Sequence, residues 1–303
     1  MKSNKKIKTS KVDLMLTPDE AKEKKITWYP GHMVKALRQV QERIKKVDIV
    51  FEIRDARAPL ASKNKELKRL LGEKSVLVLI NKSDLISDVD LKKWQAWFKE
   101  NEPNSMFISS TKKTNYKSIV SYAYEILNKK HQISNPDTQR SKKMRVMIVG
   151  IPNCGKSTII NSLVSRKAAS ATNKPGHTKA QQWIKLDQDT ELLDTPGIMP
   201  PRIETEIQGK WLSAIHAVPD STLGKDEVAL FILRHSLKEN YDILKRHYKL
   251  EDELKDPLAI LEFLAISRGA LAHKGLPDYD RIYQFIINDF REGKLGKVCF
   301  ESL

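Results

Sequence analysis

Gly150-Ile151-Pro152-Asn153-Cys154-Gly155-Lys156-Ser157 satisfies the pattern G-x-x-x-x-G-K-[ST]. Glycines at these two places let backbone N–H groups wrap a phosphate chain, and a helix opening at Lys156 adds positive potential beneath it. Lys156 is expected to reach the β- and γ-phosphates and the Ser157 hydroxyl to ligate Mg²⁺, with Asn153, Cys154, Gly155 and Thr158 completing the phosphate contact. Asp194-Thr195-Pro196-Gly197 begins 38 residues beyond Lys156. At the end of a strand its carboxylate would hold Mg²⁺ through water, and the Gly197 N–H would face the γ-phosphate. Alone, those four residues are an ordinary turn. Asn81-Lys82-Ser83-Asp84 matches N-K-x-D. The Asp84 carboxylate can accept two hydrogen bonds from the N1–H and exocyclic amine of guanine, a donor pair that adenine lacks. Asn81 would brace the loop, Lys82 would lie along the base, and Ser109-Ser110 has the shape of the short loop whose backbone meets guanine O6. The substrate expected is GTP.

Such loops need strands and helices to aim them. Met33, Leu37, Val40, Ile44 and Val47 recur at three- and four-residue spacing and predict an amphipathic helix. Residues 48–53 predict a buried strand, closed by a polar turn over 54–59. Further strands are expected at 75–80, 105–108 and 146–149, and a hairpin at 182–186 and 190–193. Helices are expected at 62–71, 90–101, 116–130 and 156–165. Strands alternating with helices predict an α/β fold, a mostly parallel sheet with helices on both faces. After about residue 201 the strand pattern ends, and 228–235, 257–272 and 279–292 read as helices. The expected organisation is a basic polar tail over 1–25, an α/β domain over 26–200 and a smaller α-helical domain over 201–303.

Composition narrows the classes. The 303 residues exceed what one core usually fills, and 40% hydrophobic with 30% charged residues excludes wholesale disorder. Apolar runs reach about five residues where a membrane span needs about 20. The Lys-rich start lacks the apolar stretch of a secretory signal. Two cysteines, Cys154 and Cys299, cannot build a disulfide framework or a four-cysteine zinc site, so a reducing cytoplasm is expected. The net charge is +16, with 39 Lys and Arg against 21 Asp and Glu in residues 1–200 and 15 against 17 thereafter. That asymmetry predicts a polyanionic partner, nucleic acid first.

The guanine-reading elements precede the phosphate loop in this chain, an order that resembles the circularly permuted P-loop GTPases. Trp28-Tyr29-Pro30-Gly31-His32-Met33, Arg54-Asp55-Ala56-Arg57-Ala58-Pro59-Leu60 and Arg291-Glu292-Gly293-Lys294-Leu295-Gly296-Lys297 resemble the RbgA/YlqF ribosome-biogenesis family and its mitochondrial counterparts, from about residue 26 to the end. The resemblance implies a monomeric, cytoplasmic GTPase that binds the precursor of the large ribosomal subunit and its rRNA. Such an enzyme promotes a late assembly step, is slow alone and stimulated by the ribosome, and leaves on hydrolysis. It implies Asn153 as a ligand of K⁺, His32 as the residue orienting the attacking water, and Thr178 as a second Mg²⁺ contact. His177 is a rival imidazole. The position after Gly197, where small GTPases carry a water-orienting Gln, holds Ile198. Candidate phosphate contacts on the RNA are Arg268, Lys274, Arg291, Lys294 and Lys297. The alternatives are a nucleotide-sensing RNA-binding module with incidental hydrolysis, or a GTPase acting on tRNA or the small subunit.

Overall fold

The computed structural model describes residues 31–111, 116–134, 143–165, 183–195, 197–198, 203–251 and 254–303. Its centre is a six-stranded sheet: β1 (Ile49–Asp55), β2 (Ser75–Asn81), β3 (Ser105–Phe107), β4 (Met144–Gly150), β5 (Trp183–Lys185) and β6 (Thr190–Leu193). The strand order is β3-β2-β1-β4-β6-β5, parallel throughout except for β5 against β6. Parallel strands covered on both faces carry continuous apolar runs, and β1 and β4 sit at the buried centre for that reason.

Helices α1 (Gly31–Arg43), α2 (Lys65–Leu71) and α3 (Asp88–Asn101) cover one face. There Val40, Ile44 and Leu67 meet Val50, Met147 and Val149, while Trp94 and Phe98 meet Val78 and Ile80. Helices α4 (Tyr116–Ser134) and α5 (Lys156–Ser165) cover the other face, where Ile119, Ala123 and Ile159 pack on Ile49, Phe51 and Ile148. Short helices start at built caps: the Asn64 side chain accepts from Glu66 N and Leu67 N, and Ser87 from Asp90 N. Register matters most for function. Asp55 pairs with Asn81 and Ile53 with Gly150, so the loops after β1, β2 and β4 leave the same carboxyl edge, where α/β sheets bind ligands.

One expectation fails here. The polar turn expected at 54–59 begins two residues late, because β1 runs through Arg54 and Asp55. Arg54 is fully buried, donating from Nε to Glu52 at 2.9 Å and from a terminal nitrogen to Glu102 at 2.7 Å, with its guanidinium over the Phe98 ring. Lys63 joins Glu102 at 2.6 Å. Charges that neutralise one another can occupy an interior strand, and the Glu102 half of this pairing is invisible in a local window.

Beyond residue 203 the structure is helical: α6 (Glu206–Ala214), α7 (Lys225–Glu239), α8 (Tyr241–Tyr248), α9 (Pro257–Ser267) and α10 (Tyr279–Arg291). A second apolar cluster unites Ile232, Leu244, Leu264, Ile282 and Ile286. Helix α6 with its C-cap bridges the two cores, since Leu212 and the capping Ile215 belong to the sheet cluster and Ala214 to the helical one. The chain then returns to the sheet: Val298 N donates to Leu85 O at 2.9 Å and Phe300 N to Arg57 O at 2.8 Å. No helix among the described residues is long and apolar enough to cross a membrane.

Candidate functional site

The loop between β4 and α5 is a tight turn whose backbone tolerates few side chains. Asn153 adopts φ 56°, and Gly155 adopts φ 96° with the place of its missing Cβ 2.2 Å from Asn81 Nδ2. The Lys156 ammonium folds back on this loop, donating to Ile151 O at 2.8 Å and Gly150 O at 3.2 Å. Ser157 and Thr158 are exposed at the start of α5. Cys154 is buried, and that burial pushes its thiol pKa up.

Asn81 joins this loop to the segment after β2. Fully buried, it donates to Cys154 O at 2.8 Å and to Ser110 Oγ at 3.1 Å, and its Oδ1 accepts from Ser110 N at 3.0 Å. Three loops far apart in sequence are thereby fixed by one carboxamide. Lys82, in the left-handed region at φ 61°, donates to Asn153 O at 2.7 Å and pairs with Asp55 at 3.0 Å. The expected N-K-x-D and phosphate loops thus share two direct bonds. Asp84 occupies a 3₁₀ turn, half-buried, where Thr111 Oγ1 approaches its Oδ2 at 3.5 Å; Ser109 Oγ lies 3.3 Å from Thr111 Oγ1.

A cavity of about 480 Å³ opens between these segments. Lys82, Asp84, Leu85, Ser110 and Thr111 line one end and Asn153, Gly155, Lys156, Ser157 and Thr158 the other. A carboxylate and a backbone loop at one end, with a lysine, a hydroxyl and a helix start at the other, suit a purine at the first and phosphates at the second. Adding a Cβ at Gly155 pushes directly on Asn81 in a backbone region that side chains avoid. Gly155→Ala is therefore expected to weaken equilibrium binding of fluorescent GDP by about tenfold or more, with sheet melting little changed.

The segment after β6 docks on the same loop. Thr195 Oγ1 donates to Ile148 O at 2.5 Å, Ile198 N to Gly150 O at 3.0 Å, and an added Cβ on Gly197 would stand 3.0 Å from the Pro152 backbone. Asp194 is half-buried at this edge. Ile198 is fully buried among Val40, Leu67 and Val149, so its place offers nothing to a water. Thr178, His177, Trp28, Tyr29 and the basic tail lie outside the described residues, as does the side chain of His32, the second residue of α1.

Two contributors were not read from sequence. Asp55, nearly fully buried, accepts from Arg57 Nε at 3.0 Å and Lys82 Nζ at 3.0 Å. Burial pushes its carboxyl up, but the Arg57 and Lys82 charges outweigh it and hold the pKa well below the usual range. The signal was the Arg54–Pro59 signature, to which no role was attached. The second contributor is helical: Arg291 and Glu292 line the cavity, and Asn153 Nδ2 donates to His216 O at 2.7 Å. Several expected RNA contacts are engaged with carboxylates: Arg291 with Asp220, Lys294 with Asp289 and Glu292, Arg268 with Asp289, and Lys297 with Asp88. The Lys274 side chain lies outside the described residues.

Comparison with known proteins agrees with this geometry. Residues 145–262 match the family described as 50S ribosome-binding GTPase. Ribosome biogenesis GTPase A of Bacillus cereus is 38% identical over 277 residues, covering 91% of this chain and 94% of that protein. Mitochondrial ribosome-associated GTPase 1 of Mus musculus is 31% identical, covering 90% and 89%. The crystal structure of GNP-bound YlqF from T. maritima superposes with a TM-score of 0.62 at 27% identity, covering 88% of this chain and 97% of that one.

Proposed function

The chain belongs to the ribosome biogenesis GTPase A family, and from that premise we propose that it hydrolyses GTP on a precursor of the large ribosomal subunit, promotes a late assembly step and is released on hydrolysis. The observation that carries the reading is Asn81, which bonds the 81–84 segment, the 109–110 loop and the phosphate loop into one cavity despite their order along the chain. That order makes residues 26–200 a circularly permuted GTPase domain, followed by a helical RNA-binding domain over 201–303. The two cysteines are free, Cys154 buried and Cys299 half-buried, which suits a reducing cytoplasm.

In this reading Asp84 selects guanine by accepting from its N1–H and exocyclic amine, with Ser109 and Ser110 presenting backbone to O6. Lys82 flanks the base while its ion pair with Asp55 fixes it. Lys156 leaves the loop carbonyls it bonds and neutralises the β- and γ-phosphates. Cys154, Gly155 and Thr158 supply backbone and helix-start contacts. Mg²⁺ fits the donors present. Ser157 faces the cavity and Asp194 directly follows β6, and a hydroxyl with a carboxylate are the hard oxygen donors that Mg²⁺ takes. Thr178, outside the described residues, is the second Mg²⁺ contact that the family resemblance implies, and the Gly197 N–H would meet the γ-phosphate. Held by Ser157 and Asp194, Mg²⁺ would supply positive charge against the phosphates during hydrolysis. For K⁺ the relevant group is Asn153. Its amide nitrogen faces the His216 carbonyl, which can only accept, so its oxygen is the atom left to act as a ligand among the described contacts. With Ile198 buried, water orientation falls to His32, with His177 as the competing imidazole.

Turnover measured with and without large ribosomal subunits, in potassium and then in sodium, tests this. We expect a rise of about 10²-fold with subunits, reduced in sodium. Subunit-independent turnover would overturn the reading. Crosslinking in the presence of a non-hydrolysable GTP analogue is expected to map to large-subunit rRNA.

A further inference from the structure

Arg291 closes the last turn of α10, and its whole fork is spent on one short segment of the helical part. Its Nε donates to Ala214 O at 3.1 Å, Nη2 to Ser213 O at 2.8 Å and to Asp220 Oδ1, and Nη1 to Asp220 Oδ2 at 3.1 Å. The carbonyls belong to the last turn of α6, where they have no partner within the helix, and both residues are buried. Between them and Asp220 the chain makes a sharp turn. His216 N donates to Ser213 O at 2.9 Å and Ala217 N to Leu212 O at 2.7 Å, and His216 is forced to φ 66°. These two bonds and the left-handed residue between them form a Schellman cap, which ends α6 and sets the direction of the His216 carbonyl. The outcome is that the His216 carbonyl points at the phosphate loop and accepts from Asn153 Nδ2 at 2.7 Å. Asn153 is thus gripped from two sides, its backbone carbonyl by Lys82 and its side chain by the helical part.

We propose that Arg291 is a positioning residue for GTP hydrolysis, clamping the 213–220 turn so that the His216 carbonyl fixes the rotamer of Asn153 and turns its amide oxygen toward the phosphates. The proposal rests on the reading of Asn153 given above. It also gives the helical part a physical route to the phosphate loop: whatever displaces the 213–220 turn releases the Asn153 amide. Arg291 suits this work because a planar guanidinium reaches two carbonyls and a carboxylate at once, which a lysine cannot.

The test is a double-mutant cycle on the full chain with Arg291→Ala, Asn153→Ala and both, reading potassium-stimulated kcat, GTP KM and the melting temperature. Supporting groups behind a metal ligand typically control about ten- to a hundredfold of activity. Arg291→Ala is expected to lower kcat about tenfold with KM changed less than about threefold, and the double variant to be no slower than Asn153→Ala. A second readout needs no turnover. Hydrogen exchange in the nucleotide-free protein should rise in the peptide over 150–157 and stay constant in β1. Asp220→Asn, which loosens the clamp without emptying the site, should shift both readouts the same way and carries the test if Arg291→Ala does not fold. Additive effects of Arg291→Ala and Asn153→Ala would overturn the proposal while leaving Asn153 in its role. An unchanged rate in Asn153→Ala would overturn both. Lost GDP affinity with unaltered exchange over 150–157 would show Arg291 touching the nucleotide itself, and would also overturn it.

Discussion

Asp84→Asn is expected to lower GTP affinity about 10³-fold and to move preference to xanthosine triphosphate. The carboxylate can accept from two neighbouring guanine donors, and an amide at the same place presents its own N–H to one of them. Xanthine carries a carbonyl where guanine carries the amine, so the amide regains what the carboxylate loses. Half-buried in its 3₁₀ turn, Asp84 approaches only the Thr111 hydroxyl among the described contacts, at 3.5 Å. Leu85 beside it is held independently by Val298 N. The substitution should therefore leave the fold intact, with a stability change within about 0.5 kcal/mol. Competitive titration of fluorescent GDP with GDP and XDP, alongside thermal melts, checks the prediction. A variant that binds GDP like the parent would remove the basis for guanine selection at this residue.

What the sequence made legible follows from how local each signal is. The strand-loop-helix unit around 150–157 has its glycines, its apolar strand and its helix inside about 20 residues, and it forms as expected with α5 at Lys156–Ser165. Strands β2 and β4 also lie within two residues of expectation, because buried parallel strands announce themselves as apolar runs. Arg54 misled the reading, since only one of its two neutralising carboxylates, Glu52, is near in sequence and the other, Glu102, is 48 residues away. Helices α6 and α8, nine and eight residues long, were missed because two turns show too little periodicity. Helix α9 ends at Ser267, before the end expected at 272, where Gly269 takes φ 60°. In the site, every motif could be read but none of its couplings. Nothing local says that Asn81 bonds Cys154, that Lys82 pairs with Asp55, or that a carbonyl in a helical turn accepts from Asn153. The basic residues near the end likewise have carboxylate partners that no local window shows, because these lie on other helices or a turn away.

Asp55→Asn should be among the most damaging single substitutions outside the nucleotide's own contacts. Asp55 is 1% exposed and accepts from Arg57 N at 3.1 Å, from Arg57 Nε at 3.0 Å and terminal nitrogen at 2.8 Å, and from Lys82 at 3.0 Å. Removing its charge leaves the buried Arg57 guanidinium, one of whose nitrogens already lacks a hydrogen-bond partner, facing Lys82 without compensation. Breaking a buried pair in this way costs about 3–5 kcal/mol, a fall in melting temperature on the order of 10 °C for a chain of this size. The sign with pH follows from the depressed carboxyl. A group whose pKa is lower folded than unfolded contributes fully above its ordinary value of 3.8 and loses that contribution as pH falls through the lower folded value. The gap between parent and variant should therefore be flat from pH 8 to about 5 and narrow only in stronger acid. Lys82 would also lose its anchor, so GDP affinity should fall beyond what reduced stability explains, an effect visible well below the variant's melting temperature. Denaturant titrations across pH, paired with GDP binding at 15–20 °C, separate the two losses, and a variant as stable as the parent at neutral pH would mean that the ion triad does not tie the first strand to the guanine loop.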